Sequence, residues 1–311
     1  MKKFLILITI LFIGCQQYQL EIDRPPIFRS NSIESRVVFG DIGETMTETN
    51  WMGSENPYIW GLNNQTLVGS AKLSIKPQYK GKDYCEFSIE KFRGKMNCEE
   101  YLSLQSVSKD TSLPFPHTYT EDSDSIYIQN SNITCLNSIQ NYWYNYSIVH
   151  NRNFVNSSAV HMYACAKQKN GEVDLHYKQL FGIIRIGVKS EIPTKISFLT
   201  ASFYGENDEE VNCCGEYKLS ICKNDMNEIS LKYLPYKASN QISCKFDDTY
   251  PQKFRYASPE VRYFNFVVFP KNYHRMKLSI VYKSGTFEKS ILLNPVKRGE
   301  IQIIEKLVEL K

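Results

Sequence analysis

Long hydrophobic segments and helical patterns are scarce in this sequence of 311 residues. The longest apolar run, at residues 4–13, is too short for a membrane-spanning helix, which needs about 20 residues. No window of about 12 residues keeps the apolar spacing of a helix, so we predict a chain built mainly from other elements. The net charge of only +4 gives no electrostatic reason to expect a nucleic-acid partner.

Motifs of catalysis and nucleotide binding are missing as well: the sequence has no HExxH, GxSxG, Walker loop or GxGxxG. His161 and His176 stand in alternating segments, where a polar-face or hydrogen-bonded core histidine is commoner than a catalytic one. The acidic run at 206–210 lacks the ligand spacing of a calcium loop, so we interpret it as a solvated loop. We expect no enzymatic activity, cofactor or bound metal, although 33 acidic residues leave a glycosidase-like carboxylate pair open.

Cysteines, in contrast, are frequent. Apart from Cys15 there are eight, namely Cys85, Cys98, Cys135, Cys165, Cys213, Cys214, Cys222 and Cys244. An even number in an exported chain is compatible with disulfides, but the sequence does not choose among the pairings. No CxxC pair or companion histidine lies at ligand spacing, and adjacent cysteines chelate one tetrahedral metal poorly. Disulfides and buried free thiols are therefore the two alternatives that we favour over a metal site.

The N-terminus carries an export signal. Two lysines precede the apolar run, and Gly14 and Cys15 follow it, an order that resembles a bacterial lipobox. We predict cleavage between Gly14 and Cys15, with the lipid on the Cys15 thiol; several acyl chains, palmitate among them, anchor a protein stably. The next residue is Gln16 instead of the Asp that retains lipoproteins in the inner membrane, so we expect an outer-membrane lipoprotein. The alternative is an ordinary signal peptide in which Cys15 stands by chance.

Short apolar runs between turn residues dominate the rest of the chain. Aromatic residues make up 13% of the sequence, and they favour strands. We predict strands at 72–75, 125–128, 142–146, 159–164, 173–177, 184–188, 195–199, 216–221, 264–269, 278–282, 287–293 and 301–308. The helical alternative is one or two turns at 98–104. Many short strands at such spacing indicate an all-β fold of packed antiparallel sheets, that is, β-sandwiches.

The chain divides into four predicted parts. These are a lipoprotein signal peptide at 1–14, a polar lipidated tether at 15–35, an N-terminal β-sandwich domain at 36–168 and a C-terminal one at 169–311. The domain boundary rests on the polar turn at 168–171. In the second domain, 264–269 is almost continuously apolar and predicts a central strand. The turn at 297–299 predicts that the last strand returns beside 287–293.

The order of several segments resembles the fimbrillin family of Bacteroidetes lipoproteins. They are Val37-Val38-Phe39, Thr49-Asn50-Trp51, Tyr58-Ile59-Trp60, His161-Met162-Tyr163-Ala164, the alternating run at 173–180, the strand at 263–270 and Lys297-Arg298-Gly299. The resemblance implies two transthyretin-like antiparallel β-sandwich domains in tandem and a structural role in fimbriae (pili) on the cell surface. It also implies partners: other fimbrial subunits, the outer membrane through the lipid anchor, and a ligand on a host or bacterial surface.

In that family a protease cuts after an arginine behind the first strand, and a strand from another subunit fills the groove that is left. The donated strand pairs with open backbone groups and fills apolar pockets. This sequence departs from the pattern because residues 40–71 contain neither Lys nor Arg, and a cut after Arg36 would release only the tether. We therefore expect an anchor or accessory subunit that keeps its lipid and its first strand.

A second hypothesis comes from a different class, a carbohydrate-binding surface lipoprotein of a glycan-uptake system. Exposed aromatic side chains form sugar-binding platforms, and Trp51, Trp60 and Trp143 are the candidates. A tryptophan in a strand, however, is more often part of the core. Exposed, coplanar aromatic rings would favour the sugar-binding hypothesis, and an unfilled strand edge would favour the fimbrial one.

The lipid attachment can be tested directly. Replacing Cys15 with Ala should abolish labelling by radioactive palmitate and release the protein from the detergent phase, because only this thiol follows the predicted cut. A Cys135→Ala variant is the control and should label like the unaltered protein. Unchanged labelling of Cys15→Ala would contradict the prediction.

Overall fold

The computed structural model describes residues 25–30, 56–79, 84–105, 119–129, 135–136, 138–143, 154–155, 161–246, 256–257, 259 and 261–310. Nearly all of their regular structure is β-strand, and their one helical element is a short 3-10 helix at Pro77–Tyr79. Within these ranges no helix has the length and apolar character that crossing a membrane would require. The predicted all-β fold is confirmed.

The strands are numbered in chain order. They are β1 Ile27–Ser30, β2 Tyr58–Asn63, β3 Thr66–Ile75, β4 Cys85–Gly94, β5 Glu100–Gln105, β6 Tyr119–Glu121, β7 Ser125–Ile128, β8 Cys135–Leu136, β9 Ile139–Trp143, β10 Phe154–Val155, β11 Met162–Lys167, β12 Glu172–Asp174, β13 Lys178–Gln179, β14 Gly182–Ser190, β15 Thr194–Tyr204, β16 Cys214–Cys222, β17 Ile229–Ser239, β18 Gln241–Phe246, β19 Tyr256–Ala257, β20 Arg262–Val268, β21 Arg275–Tyr282, β22 Gly285–Leu292 and β23 Ile301–Leu310. The helical alternative at 98–104 is wrong, because these residues lead into β5.

The first sheet has eight strands in the order β12-β1-β4-β3-β2-β5-β11-β13. Only residues 175–177 separate its two end strands in the chain, so the sheet curls and brings its edges close together. Its concave side encloses a core that includes Leu73, Phe87, Tyr101 and Tyr177.

Strand β1 corrects the predicted tether at 15–35. Phe28 and Ser30 are buried, and the ring of Phe28 packs edge-on against Tyr101 with the centroids 5.2 Å apart. The strand pairs parallel with β12 and antiparallel with β4. Two prolines and several polar residues make the segment resemble a linker, but one buried aromatic residue and two strand partners are enough to hold it in the sheet.

Strands β2, β5 and β11 are buried on both faces. Ile59 and Tyr101 point into the core of the curled sheet, whereas Trp60, Leu102 and Tyr163 point into a second, larger core. Successive side chains of a strand point to opposite faces, so these three strands form a wall that both cores share.

Three further sheets surround the larger core. One has the path β10-β9-β18-β15-β21-β22 with β19 beside β15, one has β17-β16-β7-β6 with β8 beside β16, and one has β20-β14-β23. The predicted domain boundary at 168/169 does not separate the sheets, because strands from both sides of it belong to the same sheets. Strands β7 and β9 precede it but pair with β16 and β18, and β12 and β13 follow it but complete the first sheet. The turn at Asn170 and Gly171 links two strands of one sheet, because a polar turn looks the same in sequence whether it joins strands or domains.

The last strand closes a sheet of its own chain by an unexpected route. Strand β23 pairs in parallel with β14, from Ile183 opposite Ile301 to Ser190 opposite Leu310, and the predicted return beside β22 is wrong. A parallel partner requires a crossover, and the connection passes so close to Gly182 that a Cβ there would lie 2.3 Å from Val296 Cγ1. Strand β20 was predicted to be a central strand, but it is an outer strand of this sheet. Its sequence is almost continuously apolar because its side chains are buried on both faces of the sheet.

Removing residues 299–311 should therefore unfold or aggregate the protein. Strand β14 is buried along nearly its whole length and would lose its parallel partner, which bares an apolar edge. Thermal melting and size-exclusion chromatography check this, with the exposed-site variant Glu309→Ala as the control that should stay folded. A soluble truncated monomer with a cooperative melting transition would contradict it.

Candidate subunit-docking edge

Strand β4 has an edge that its own sheet covers only in part. On one side it pairs with β3 from Phe87 to Gly94. On the other side β1 reaches only Cys85 and Glu86, so in the described part of the chain no strand pairs with residues 88–92 there. We call residues 88–92 the open edge. Unpaired backbone N–H and C=O groups along such an edge can hydrogen-bond to an added strand.

Phe92 is the unusual residue of the open edge. It lies directly opposite Ala71, a buried core residue of β3, so its ring is on the core-facing side of the sheet. Burial falls steadily along this face of β4: Phe87 is 4% exposed, Ile89 is half-buried and Phe92 is 62% exposed. Among the described residues, this end of the core is thus the less covered one, and the exposed ring of Phe92 lies there.

Local geometry holds this end of β4 in place. A β-bulge near Glu90 breaks the register with β3, and such a bulge bends the strand that carries it. Gly94 then adopts a φ of 76°, which a side chain would strain, and the chain crosses β3 tightly. A Cβ on Gly69 would lie 1.8 Å from the carbonyl oxygen of Lys95. Two glycines and a bulge therefore fix the backbone path at this end of β4.

Charged residues lie at both ends of β4. At the end covered by β1, Glu86 contacts Lys76 at 2.6 Å and Arg29 at 3.4 Å, and the hydrogen bond from Lys76 is the main reason that the pKa of Glu86 is lowered. At the open edge, the exposed Lys91 lies on the outer face, and the neighbouring Glu90 pairs with Lys72 at 3.6 Å. Ion pairs to neighbouring strands thus occur at both ends of β4.

Other outer strands do not combine these features. Leu292 of β22 is 72% exposed, but it lies opposite Arg275 on the outer face of its sheet. Tyr233 of the outer strand β17 stacks on Phe269 with the ring centroids 4.1 Å apart. Among the described strands, only β4 joins an unpaired backbone to a large exposed side chain on its core-facing side.

The predicted cysteine alternatives are resolved in favour of free thiols. All eight cysteines from Cys85 to Cys244 are free, and five are buried. The thiols of Cys213 and Cys214 both donate to the carbonyl oxygen of Ser239, at 3.4 and 3.6 Å. In the described residues no group of three or more His, Cys, Asp or Glu side chains could hold a metal ion.

The other candidate residues have ordinary surroundings. His161 is buried, with Nδ1 2.8 Å from the hydroxyl of Tyr217, and His176 is exposed next to Asp174. The loop at 206–210 is exposed, and its Asp208 pairs with Arg275 at 2.6 Å.

Of the three tryptophans named for the sugar-binding hypothesis, Trp60 is fully buried and therefore cannot serve as a platform. Trp51 and the side chain of Trp143 lie outside the described residues, as do Gly14, Cys15 and Arg36. The lipid site and the processing of the first strand thus stay predictions.

The open edge was missed in the sequence. Its signal is the run from Glu90 to Lys95, in which charged residues flank one phenylalanine. Charged side chains beside an apolar residue commonly protect strand edges from aggregation. The sequence cannot tell whether such a strand has one neighbour or two.

Comparison with known proteins gives only distant likenesses. No protein-family model and no curated protein matches the sequence. A candidate cell adhesion protein from Bacteroides ovatus ATCC 8483 has 10% identity and a TM-score of 0.47, over 89% of this chain and 90% of that one. A fimbrial protein from the same strain has 8% identity and a TM-score of 0.39, over 92% of this chain and 50% of that one.

A fimbrial assembly protein from Parabacteroides distasonis ATCC 8503 has 11% identity and a TM-score of 0.36, over 90% of this chain and 89% of that one. The chain is similar to Bacteroidetes fimbrial and adhesion proteins. With TM-scores below 0.5, the likeness is a loose one.

Two phenylalanines on the same face of β4 test whether the core is covered at one end of the strand and exposed at the other. Phe87→Ala should lower the free energy of unfolding by about 3–5 kcal/mol, because it empties a packed site. Phe92→Ala should change it by only about 0.5 kcal/mol, because its ring is mostly in water. Urea denaturation of both variants measures the difference. Equal losses would show that Phe92 is covered in the isolated protein.

Proposed function

We propose that the protein is a structural component of cell-surface fimbriae and that it joins a neighbouring subunit by β-strand addition at the open edge of β4. The observation that carries the proposal is that no described strand pairs with the outer side of residues 88–92, where the exposed ring of Phe92 lies on the core-facing side. A solitary globular protein gains nothing from such an edge, which invites aggregation.

An added strand would satisfy both features of the edge at once. Its backbone would pair with β4, and each hydrogen bond contributes about 1 kcal/mol net. Its alternate side chains would cover Phe92 and complete the core near Ile89. Strand addition therefore combines directional backbone bonding with apolar burial, which suits a permanent link in a fibre under load.

The anchor or accessory role belongs to the same proposal. A lipid on Cys15 would fix the chain to the outer membrane. Strand β1 ends at Ser30, before Arg36, so it stays in the subunit only where Arg36 is not cut. An architecture of two transthyretin-like β-sandwich domains also belongs here, with the curled sheet as the core of one domain and the larger core in the other. Such a subunit would begin or terminate a fibre at the cell surface.

The proposal predicts which surface variant loses the partner. Phe92→Asp should be exported and folded but should recover much less of a second fimbrial subunit after mild detergent extraction of cells, because a charge in the opening opposes burial under an added strand. Leu292→Asp is the matched control: it removes an equally exposed apolar side chain from another outer strand and should keep the partner.

Quantitative mass spectrometry of the co-purified proteins measures the outcome. Undiminished recovery with Phe92→Asp would contradict the proposed docking edge. Recovery of glycan-uptake proteins, with no fimbrial subunit in any sample, would support the sugar-binding hypothesis instead.

A further inference from the structure

A shallow groove of about 510 Å³ runs beside β17, the outer strand of its sheet. Residues between 227 and 233 line one side of it, Pro270 follows β20, and Arg298 belongs to the connection into β23. Three separate parts of the chain thus meet around one groove. Its volume lies in the range of small-ligand sites, about 300–1,000 Å³.

The floor of the groove is apolar. Ile229 and Leu231 lie opposite the buried Ile221 and Leu219 of β16, so their side chains are on the core-facing side of the sheet. Both pack against the larger core but stay half-buried. They therefore offer a ligand apolar contact at the margin of a packed core.

Tyr233 is the aromatic residue of the groove, and its ring is held in place. One face stacks on the fully buried Phe269, with the centroids 4.1 Å apart. The Nζ atom of Lys271 is 4.5 Å from the centroid of Tyr233 and 5.8 Å from that of Phe269. These three distances enclose nearly a right angle at Tyr233, so the ammonium group lies at the edge of the ring. Neither neighbour covers the second face of Tyr233, which is therefore the face that lines the groove.

Polar groups without partners surround this apolar floor. In the described part of the chain, the guanidinium of Arg298 and the carboxylate of Glu228 take part in no ion pair or hydrogen bond. The Oδ1 atom of Asn227 accepts a hydrogen bond from the thiol of Cys165 at 3.3 Å, which leaves the Nδ2 group for a ligand. A cation, an anion and an amide are thus available along one groove.

These contacts specify the chemistry of a ligand. A pyranose ring has a flat C–H face that suits the second face of Tyr233, and its hydroxyl groups can donate to Glu228 and accept from Asn227. A carboxylate on the same molecule suits Arg298, because a guanidinium binds a carboxylate through two parallel hydrogen bonds. A saccharide that carries one carboxylate combines all these groups in a volume that fits the groove.

An added peptide strand fits this groove less well. Pro235 lies in β17 and has no N–H to donate, and the register with β16 shifts just beyond Tyr233. Regular backbone pairing along β17 is therefore interrupted beside the groove. A saccharide does not depend on that pairing.

We infer that the groove beside β17 binds an acidic saccharide, with a sugar ring on the second face of Tyr233 and its carboxylate on Arg298. This function goes beyond the proposed strand addition and does not depend on it, because β4 and β17 belong to different sheets. The protein would then contact an acidic surface glycan as well as a neighbouring subunit.

Two disaccharides test the inference on the full-length protein in detergent. Glucuronosyl-β-1,4-glucose and cellobiose differ only in that the first carries a carboxylate where the second has a CH₂OH group. We expect the acidic disaccharide to bind about tenfold more tightly at low ionic strength, with an advantage that shrinks as salt is added. Isothermal titration calorimetry gives the affinities, and saturation-transfer NMR shows whether the C–H face of the sugar lies on an aromatic ring.

Two neighbouring residues provide a matched pair of variants. Arg298→Gln should remove the advantage of the acidic disaccharide and leave the affinity for cellobiose unchanged. Lys297→Gln makes the same change in net charge, but Lys297 pairs with Glu300 at 3.5 Å and does not line the groove, so this control should keep the advantage. Tyr233→Leu should weaken the binding of both disaccharides alike, with thermal melting to verify its folding. If that variant unfolds, the two charge variants still decide, because Arg298 and Lys297 are exposed.

Several results would overturn the inference. They are equal affinities for the two disaccharides, equal effects of Arg298→Gln and Lys297→Gln, or competition by acetate as strong as that of the acidic disaccharide, which would indicate a site for any small anion. Tighter binding of a capped Val-Asp-Val peptide, lost in Arg298→Gln, would overturn it in favour of a peptide site. None of these results bears on strand addition at β4, which Phe92→Asp tests separately.

Discussion

The architecture depends on three strands that are buried on both faces. Strands β2, β5 and β11 place alternate side chains in two different cores, so Ile59 and Tyr101 stabilise one and Trp60 and Leu102 the other. Apolar burial on both sides stabilises this wall. The other strands of that sheet continue from the wall on its two sides. Strands β3 and β4 follow on one side, and β13 follows on the other.

The position of β4 relative to this wall explains why the open edge occurs on that strand. Strand β4 has only the smaller core beneath it, and its outer neighbour β1 is four residues long. A bulge near Glu90 and close approaches at Gly69 and Gly94 shape the far half of β4. The open edge beside Phe92 thus follows from strand lengths and backbone geometry. The lipid predicted on Cys15 would place this edge at the cell surface.

Local patterns in the sequence were enough for much of the secondary structure. Alternation identified the strand around Ile186, and the hairpin of β21 and β22 has the predicted turn at Lys283 and Ser284. Alternation could not identify β1, where Phe28 is one apolar residue among polar ones and prolines. It also could not predict the route of β23, because hydrogen bonding to β14 leaves no mark in the side chains of either strand.

The sequence alone determined the strand-rich fold class and the absence of known catalytic motifs, and it predicts an export signal with a lipobox. Each of these rests on neighbouring residues, whose spacing can be read directly. Tertiary structure alone decided that Trp60 is buried, that β12 and β13 complete the first sheet, and that no described strand pairs with the outer side of β4 along residues 88–92. The physical reason is that pairing and burial depend on which distant segments meet, and the same run around Phe92 would serve equally well in a strand with two neighbours.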